Sequence, residues 1–294
     1  VLAITSPSQL GTSTGTIAVF GSSATGFESG SLMLHGGAVS GVGQTFAREL
    51  SLAGRGNNTI GIGALISIGN NTFTGDIVTS SSTETRITAS AGTTTLAGRL
   101  FMGGASQVPY FYGPGNFVLS GQVVGGTSGV SSIVKGNMGV STTMVLTNND
   151  NTMLGGIRAE SGTVRVSDGG QLGLGNNITT ANGGNLNFNG ATFEIRSDNL
   201  ASFATKNISM EYNGGTIFVD HAVGSFGLNG VVSFANLRQE NNRTLTFSGR
   251  NGYGVTISAV NASGSGNQSE GFTNSGNGLV TINGNIWSEA DSTA

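Results

Sequence analysis

The stretch NTMLGGIRAESGTVRVSDGGQLG, from Asn151 to Gly173, places an alternating segment between two glycine-rich corners. A related opening, NTFTGDI, runs from Asn71 to Ile77. Recurring turn residues around short apolar segments are typical of stacked repeats, in which each unit buries its core against its neighbours. The pattern predicts a repetitive architecture rather than a single enzymatic core.

The composition supports ordered β-structure. Glycine occupies 51 of the 294 positions and charged residues only 9%, whereas an average protein has ~7% glycine and ~25% charged residues. Glycine-rich chains are often disordered because they have too few apolar side chains to bury. Here 36% of the residues are hydrophobic and the net charge is only −3. The apolar residues also alternate in short runs, which favours β-strands over disorder.

Alternation is clear in TLTFSG (Thr244–Gly249), GTVRVSD (Gly162–Asp168) and ATFEIRS (Ala191–Ser197). In the first of these, Leu245 and Phe247 would point inward, since successive strand residues face opposite sides. Glycine and asparagine pairs follow most strands, and both residues tolerate the left-handed conformation that tight corners need.

Two all-β folds fit this pattern. One is a parallel β-helix, in which each coil stacks on the previous one, and the other is an antiparallel β-sandwich. The β-helix is favoured because corner asparagines and threonines of successive coils can form hydrogen-bonded ladders. The best helical candidate is SDNLASFATKN (Ser197–Asn207), but the alternation on both sides of it favours continued β-structure.

The segment from Ser131 to Gly173 resembles the autotransporter-associated β-strand repeat. The matching positions are Lys135-Gly136, Val145-Leu146, Asn151-Thr152, Gly155-Gly156, Gly162-Thr163-Val164, Val166-Ser167 and Leu172-Gly173. The resemblance implies a right-handed parallel β-helix within a large bacterial surface or secreted protein, and it implies no catalytic residues. We therefore expect a single continuous β-helical domain over residues 1–294, part of a longer or processed chain.

Several partners are not expected. The two lysines and ten scattered arginines form no run of the kind that a nucleic-acid-binding surface requires. No apolar stretch reaches the ~18 residues of a membrane-spanning helix. The chain has no cysteine, which is compatible with export. We expect an extracellular or cell-surface location.

The sequence contains no recognisable set of catalytic or metal-binding residues. His35 and His221 are isolated, and strand geometry would place Asp220 and His221 on opposite faces. Glu194 and Asp198 could converge only around a corner. Asp150 lies in TNNDNT, which lacks the spaced acidic ligands of calcium loops. The charged residues are expected to be dispersed without a cluster, and no catalytic residue, metal or cofactor is predicted.

One stretch departs from the repetitive style. QVPYFYGPGNF (Gln107–Phe117) contains two of the three prolines and two of the four tyrosines. Because proline is poorly tolerated within a sheet, this stretch is expected to protrude as a loop. Its aromatic residues Tyr110, Phe111 and Tyr112 are the candidate contact residues for a sugar or a neighbouring subunit.

The sequence thus predicts a non-enzymatic structural protein of the bacterial exterior, which forms a rod or self-assembling fibre and can serve in adhesion. Its partners would be copies of itself, further repeats of the same chain, or surface glycans. The alternative is a carbohydrate-binding or polysaccharide-cleaving β-helix protein. That function would require a groove with clustered acidic, basic and aromatic side chains.

Overall fold

A computed structural model describes residues 1–20, 30–36, 43–56, 63–79, 84–103, 108–127, 131–136, 142–175, 184–210, 213–240, 243–263, 271–284 and 286–288. Within these ranges the chain is almost entirely β-structure, with three short 3-10 helices at Pro7–Leu10, Gly169–Leu172 and Leu200–Phe203. None of the helices in these ranges is long and apolar enough to cross a membrane.

The largest sheet, here sheet 1, has 13 strands in the described residues. They are β1 (Leu2–Ile4), β3 (Leu32–His35), β6 (Leu65–Ile68), β9 (Glu84–Ala91), β12 (Val108–Tyr112), β15 (Ser131–Lys135), β18 (Gly156–Ala159), β20 (Leu186–Phe188), β22 (Asn207–Met210), β24 (Val231–Glu240), β26 (Gly254–Ser263), β28 (Val280–Ile282) and β29 (Ile286–Ser288). Both β28 and β29 pair with the long strand β26.

Sheet 2 has ten strands in the same ranges. They are β4 (Gln44–Phe46), β7 (Asn71–Phe73), β10 (Thr93–Leu96), β13 (Asn116–Leu119), β16 (Thr143–Leu146), β19 (Thr163–Val166), β21 (Thr192–Arg196), β23 (Gly215–Asp220), β25 (Thr244–Gly249) and β27 (Gly271–Asn274).

Sheet 3 is confined to the N-terminal half of the described chain. Its six strands are β2 (Ile17–Val19), β5 (Leu50–Leu52), β8 (Ile77–Thr79), β11 (Leu100–Met102), β14 (Val123–Gly125) and β17 (Thr152–Met153). Beyond β17, the 3-10 helices Gly169–Leu172 and Leu200–Phe203 follow the sheet 2 strands instead. Leu172 and Phe203 are fully buried there and complete the core. The second helix lies in the segment for which the sequence favoured continued β-structure.

The molecule is a parallel β-helix. Every strand pairing among the described residues is parallel, and each strand pairs with the corresponding strand of the next coil rather than with its neighbour in sequence. This arrangement confirms the predicted β-helix and excludes the antiparallel β-sandwich, which would need antiparallel pairs.

The core is a set of columns formed by inward residues in register. One column on sheet 2 contains residues whose strands pair consecutively: Phe117, Met144, Val164, Phe193, Ile217 and Phe247. All of its members are 0–1% exposed. Leu245 and Phe247 are both buried, as the alternation predicted. Each coil therefore covers the apolar residues of the preceding one.

Corner asparagines connect successive coils. The Asn207 backbone N–H donates to Asn185 Oδ1 at 2.9 Å, and Asn236 Nδ2 donates to Asn207 Oδ1 at 2.9 Å. Asn151 accepts from the backbone N–H of Val123 at 2.8 Å. These bonds form the ladder that the sequence predicted, and they satisfy polar groups that the stacked coils bury.

Candidate functional site

The proposed contact residues lie in a strand rather than a protruding loop. Val108–Tyr112 forms β12 of sheet 1, in register with β9. Alternation along this strand points Phe111 into the core, where it is 0% exposed and contacts Phe117 edge-to-face at 5.0 Å. The loop prediction was therefore wrong, and Phe111 is unavailable for external contact. Gln107 lies outside the described residues.

Tyr110 and Tyr112 point outward and form a pair of nearly parallel, stacked rings. Their ring centroids are 5.8 Å apart with an interplanar angle of 12°. The Arg86 guanidinium lies 4.8 Å from the centroid of the Tyr112 ring, a favourable cation–π distance. A side chain at Gly136 would meet the Tyr112 ring at 2.8 Å, so the glycine directly after β15 leaves room for the ring.

This tyrosine cluster is held by charged neighbours. Arg55 and Arg86 both pair with Glu84, which is 8% exposed. Burial raises the pKa of Tyr112, and the nearby Glu84 carboxylate raises it further. Both tyrosines are half-buried, so the cluster offers a firm surface rather than reactive groups. The contact role of Tyr110 and Tyr112 stays a prediction.

A second cluster lies on the outer face of sheet 2, and the sequence analysis missed it. Arg165, Glu194 and Phe218 are in direct register on β19, β21 and β23. Arg196 and Asp220 form the neighbouring row, also in register. The expectation that the charged residues are dispersed was therefore wrong. Arginines, carboxylates and one aromatic ring converge here from segments that are 24 and 29 residues apart.

The ion pairs of this cluster are short and partly buried. Glu194 accepts from Arg165 Nε at 2.7 Å and from Arg196 Nε at 2.6 Å. Arg196 Nη1 also donates to Asp220 Oδ2 at 2.7 Å. Burial alone would raise the pKa of Glu194, but the hydrogen bonds from Arg165 and Arg196 outweigh it and lower that pKa.

A shallow groove of about 360 Å³ runs over this cluster. Three threonines form one side of it, in register on successive coils: Thr163, Thr192 and Thr216. On the other side, the guanidinium carbons of Arg196 and Arg250 lie 4.9 Å and 5.6 Å from the centroid of the Phe218 ring. We call this feature the sheet 2 groove. It combines hydroxyl, cationic, anionic and aromatic groups at one accessible surface.

Of the other residues considered from sequence, Asp198 belongs to neither cluster, and His221 contacts the second cluster only through Asp220. Asp198 accepts from the Ala222 backbone N–H at 3.1 Å and from Ser225 Oγ at 3.0 Å, so it holds a turn and does not converge with Glu194. His221 Nε2 lies 3.6 Å from Asp220 Oδ1. The predicted opposite orientation of these neighbours was wrong, because β23 ends at Asp220 and alternation ends with it.

Metal binding receives no support from the geometry. Among the residues that the structure describes, no three histidine, aspartate or glutamate side chains are grouped so that they could hold an ion. His35 is half-buried in β3 and Asp150 lies in the turn before β17. The prediction of no metal and no cofactor stays a prediction.

The alignment of three strand sequences brings the outward residues of the sheet 2 groove together. When GTVRVSD, ATFEIRS and TIFVDH (Thr216–His221) are superposed on their inward residues Val164, Phe193 and Ile217, their next outward residues coincide. The sequence does not give the coil lengths that justify this superposition, because the connecting segments differ in length.

Comparison of the chain with protein-family models, with curated proteins and with solved structures finds no match.

Proposed function

We propose that this chain is a non-enzymatic structural segment of a bacterial cell-surface or secreted protein, which extends as a rod and assembles with further coils. The observation that carries the proposal is the uninterrupted register of sheet 2 from β4 to β27. Such a solenoid is stabilised coil by coil, so its natural role is to add length and display surface. The resemblance of Ser131–Gly173 to the autotransporter-associated repeat supports an extracellular location.

The proposed partner is another set of coils, from a second copy or from the same longer protein. In the described residues, β27 is the last strand of sheet 2, and its outer edge is free to pair. A cavity of about 400 Å³ opens beside it, lined by Phe247, Phe272 and Leu279. Leu279 is 73% exposed. A free strand edge next to exposed apolar residues favours strand addition.

Negative-stain electron microscopy of the purified chain tests this assembly. We expect filaments of uniform width, since end-to-end contacts between identical copies continue without closure. The double variant Phe272→Lys/Leu279→Lys should give only short rods, because it places charges on the apolar end. The control Phe226→Lys changes a residue that is 94% exposed between β23 and β24, and it should leave the filaments intact. If the unaltered chain gave only short rods, this would contradict the proposed assembly into filaments.

The second candidate function is carbohydrate recognition. The specific observation in its favour is the sheet 2 groove, which has the acidic, basic and aromatic groups that this function requires. Sugar hydroxyls hydrogen-bond well to arginine and carboxylate groups, which offer fixed donors and acceptors. Binding of a panel of soluble polysaccharides, measured by affinity electrophoresis, tests this candidate. Unchanged mobility with every polymer would exclude it.

A further inference from the structure

The sheet 2 groove has a repeat along the long axis of the molecule. Thr163, Thr192 and Thr216 occupy the same position on successive coils, and parallel strands of neighbouring coils lie about 4.8 Å apart. This spacing is close to the rise per sugar of an extended pyranose chain. A polysaccharide lying along the axis would therefore meet an equivalent hydroxyl at each sugar.

The charges of the groove are unequal. Glu194 and Asp220 are both engaged by Arg165 or Arg196, and both carboxylates are nearly buried. The side chain of Arg250 is exposed. Its guanidinium contacts the Phe218 ring, and among the described residues it has no carboxylate partner. The groove therefore presents one arginine whose charge is not neutralised, held in place by an aromatic ring.

We propose that the sheet 2 groove binds an acidic polysaccharide, with the chain along the long axis and a uronate carboxylate paired with Arg250. This inference rests on the carbohydrate-binding candidate above. The guanidinium forms strong, charge-assisted hydrogen bonds with a carboxylate. The threonine hydroxyls of successive coils donate hydrogen bonds to, and accept them from, the hydroxyls of successive sugars. The ion-paired Glu194 keeps the neighbouring arginines in place.

A nucleic acid fits the groove less well than an acidic polysaccharide. Nucleic acids carry a phosphate at each nucleotide and need several clustered cations. The groove offers one unneutralised arginine, and the same cluster contains the carboxylates of Glu194 and Asp220, which pair with Arg165 and Arg196. A polymer with sparser charges and many hydroxyls matches this surface better.

The test compares two oligosaccharides of equal length, a β-1,4-linked oligomannuronate and the β-1,4-linked mannan oligomer, which differ in the carboxylate. Calorimetric titration of the purified chain should show that the oligomannuronate binds at least about tenfold more tightly, as expected for one charge-assisted hydrogen bond. The variant Arg250→Gln should remove this preference. Its control, Arg99→Gln, removes the same charge from an exposed arginine next to β11, and it should leave the preference intact.

The remaining outcomes separate the proposals. Equal binding of both oligomers, unaffected by Arg250→Gln, would overturn the acidic preference and keep carbohydrate recognition. Binding of neither oligomer would overturn this inference, and the polysaccharide panel then decides the carbohydrate candidate. Equal weakening by both arginine variants, or equally tight binding of single-stranded DNA, would show non-specific charge attraction and also overturn the inference.

Discussion

Lys135 is a lysine that points into the core of the β-helix. It lies in β15 between Phe111 and Ala159 of the neighbouring coils, and it is 1% exposed. Strand alternation puts it on the same face as Ile133. Burial lowers the pKa of Lys135 to about 8. The charged form is therefore disfavoured in the folded state relative to the unfolded chain, where the pKa is ~10.4.

This shift predicts that stability rises with pH. Between pH 8 and ~10, the unfolded state keeps its proton on the lysine while the folded state releases it, so the free energy of unfolding increases. Below pH 8 both states are protonated and the cost of burying the charge is constant, at about 3 kcal/mol. Lys135→Met should therefore stabilise the protein at pH 7 by up to that amount. It should also reduce the rise to what Lys206 contributes, since burial lowers the pKa of Lys206 as well.

Urea denaturation of the unaltered protein, Lys135→Met and Lys135→Arg at pH 7 and pH 9.5 checks this prediction. The control Lys135→Arg retains its charge at both pH values, and its stability should not recover at the higher pH. The same pH-dependent rise in Lys135→Met as in the unaltered protein would contradict the assignment to Lys135.

The corner ladder Asn185–Asn207–Asn236, which connects three successive coils, should contribute measurably to stability. Asn207 is 5% exposed, and its side chain accepts from Asn236 while its backbone N–H donates to Asn185. Asn207→Ala would leave the partly buried side-chain donor of Asn236 without this acceptor, at a cost of about 1 kcal/mol. The midpoint of urea unfolding should fall accordingly.

The matched control is Asn213→Ala. Asn213 Nδ2 also donates to an asparagine of the preceding coil, Asn189 Oδ1 at 2.6 Å, but at an exposed corner. Water can replace that bond, so the loss should be within about 0.5 kcal/mol. Equal losses in the two variants would mean that burial does not determine the strength of the ladder.

The strands could be predicted from the sequence because inward and outward residues alternate within each one. The alternation of Leu245 and Phe247 was sufficient, and both are buried. The same rule applied to VPYFY would have placed Phe111 inward, but the proline at position 109 directed the prediction to a loop. In the structure Pro109 is buried within β12 and pairs in register with Thr85.

The position of each strand among the three sheets was not predictable. The related stretches at Asn71 and Asn151 look alike, but the structure places β7 in sheet 2 and β17 in sheet 3. Local sequence specifies a strand and a corner, whereas coil length decides which strands align. The sheet 2 groove depends on that alignment and so could not be identified from any one segment.

Over its full length, a continuous β-helix requires that the distance between two sites on the rod is proportional to the number of coils between them. Thr45 on β4 and Val145 on β16 lie four coils apart on the outer face of sheet 2, through the paired residues Thr72, Thr95 and Val118. Ser248 on β25 lies four coils further, through Arg165, Glu194 and Phe218. At about 4.8 Å per coil, the two distances from Thr45 are roughly 19 Å and 38 Å.

The most direct test of the continuous β-helix is to measure two distances between pairs of spin labels by double electron–electron resonance. The chain has no cysteine, so labels attach only at introduced thiols, in Thr45→Cys/Val145→Cys and Thr45→Cys/Ser248→Cys. We expect two narrow distributions, the second centred at about twice the distance of the first. A second distance equal to or shorter than the first, or a broad distribution for the second pair, would contradict one uninterrupted solenoid.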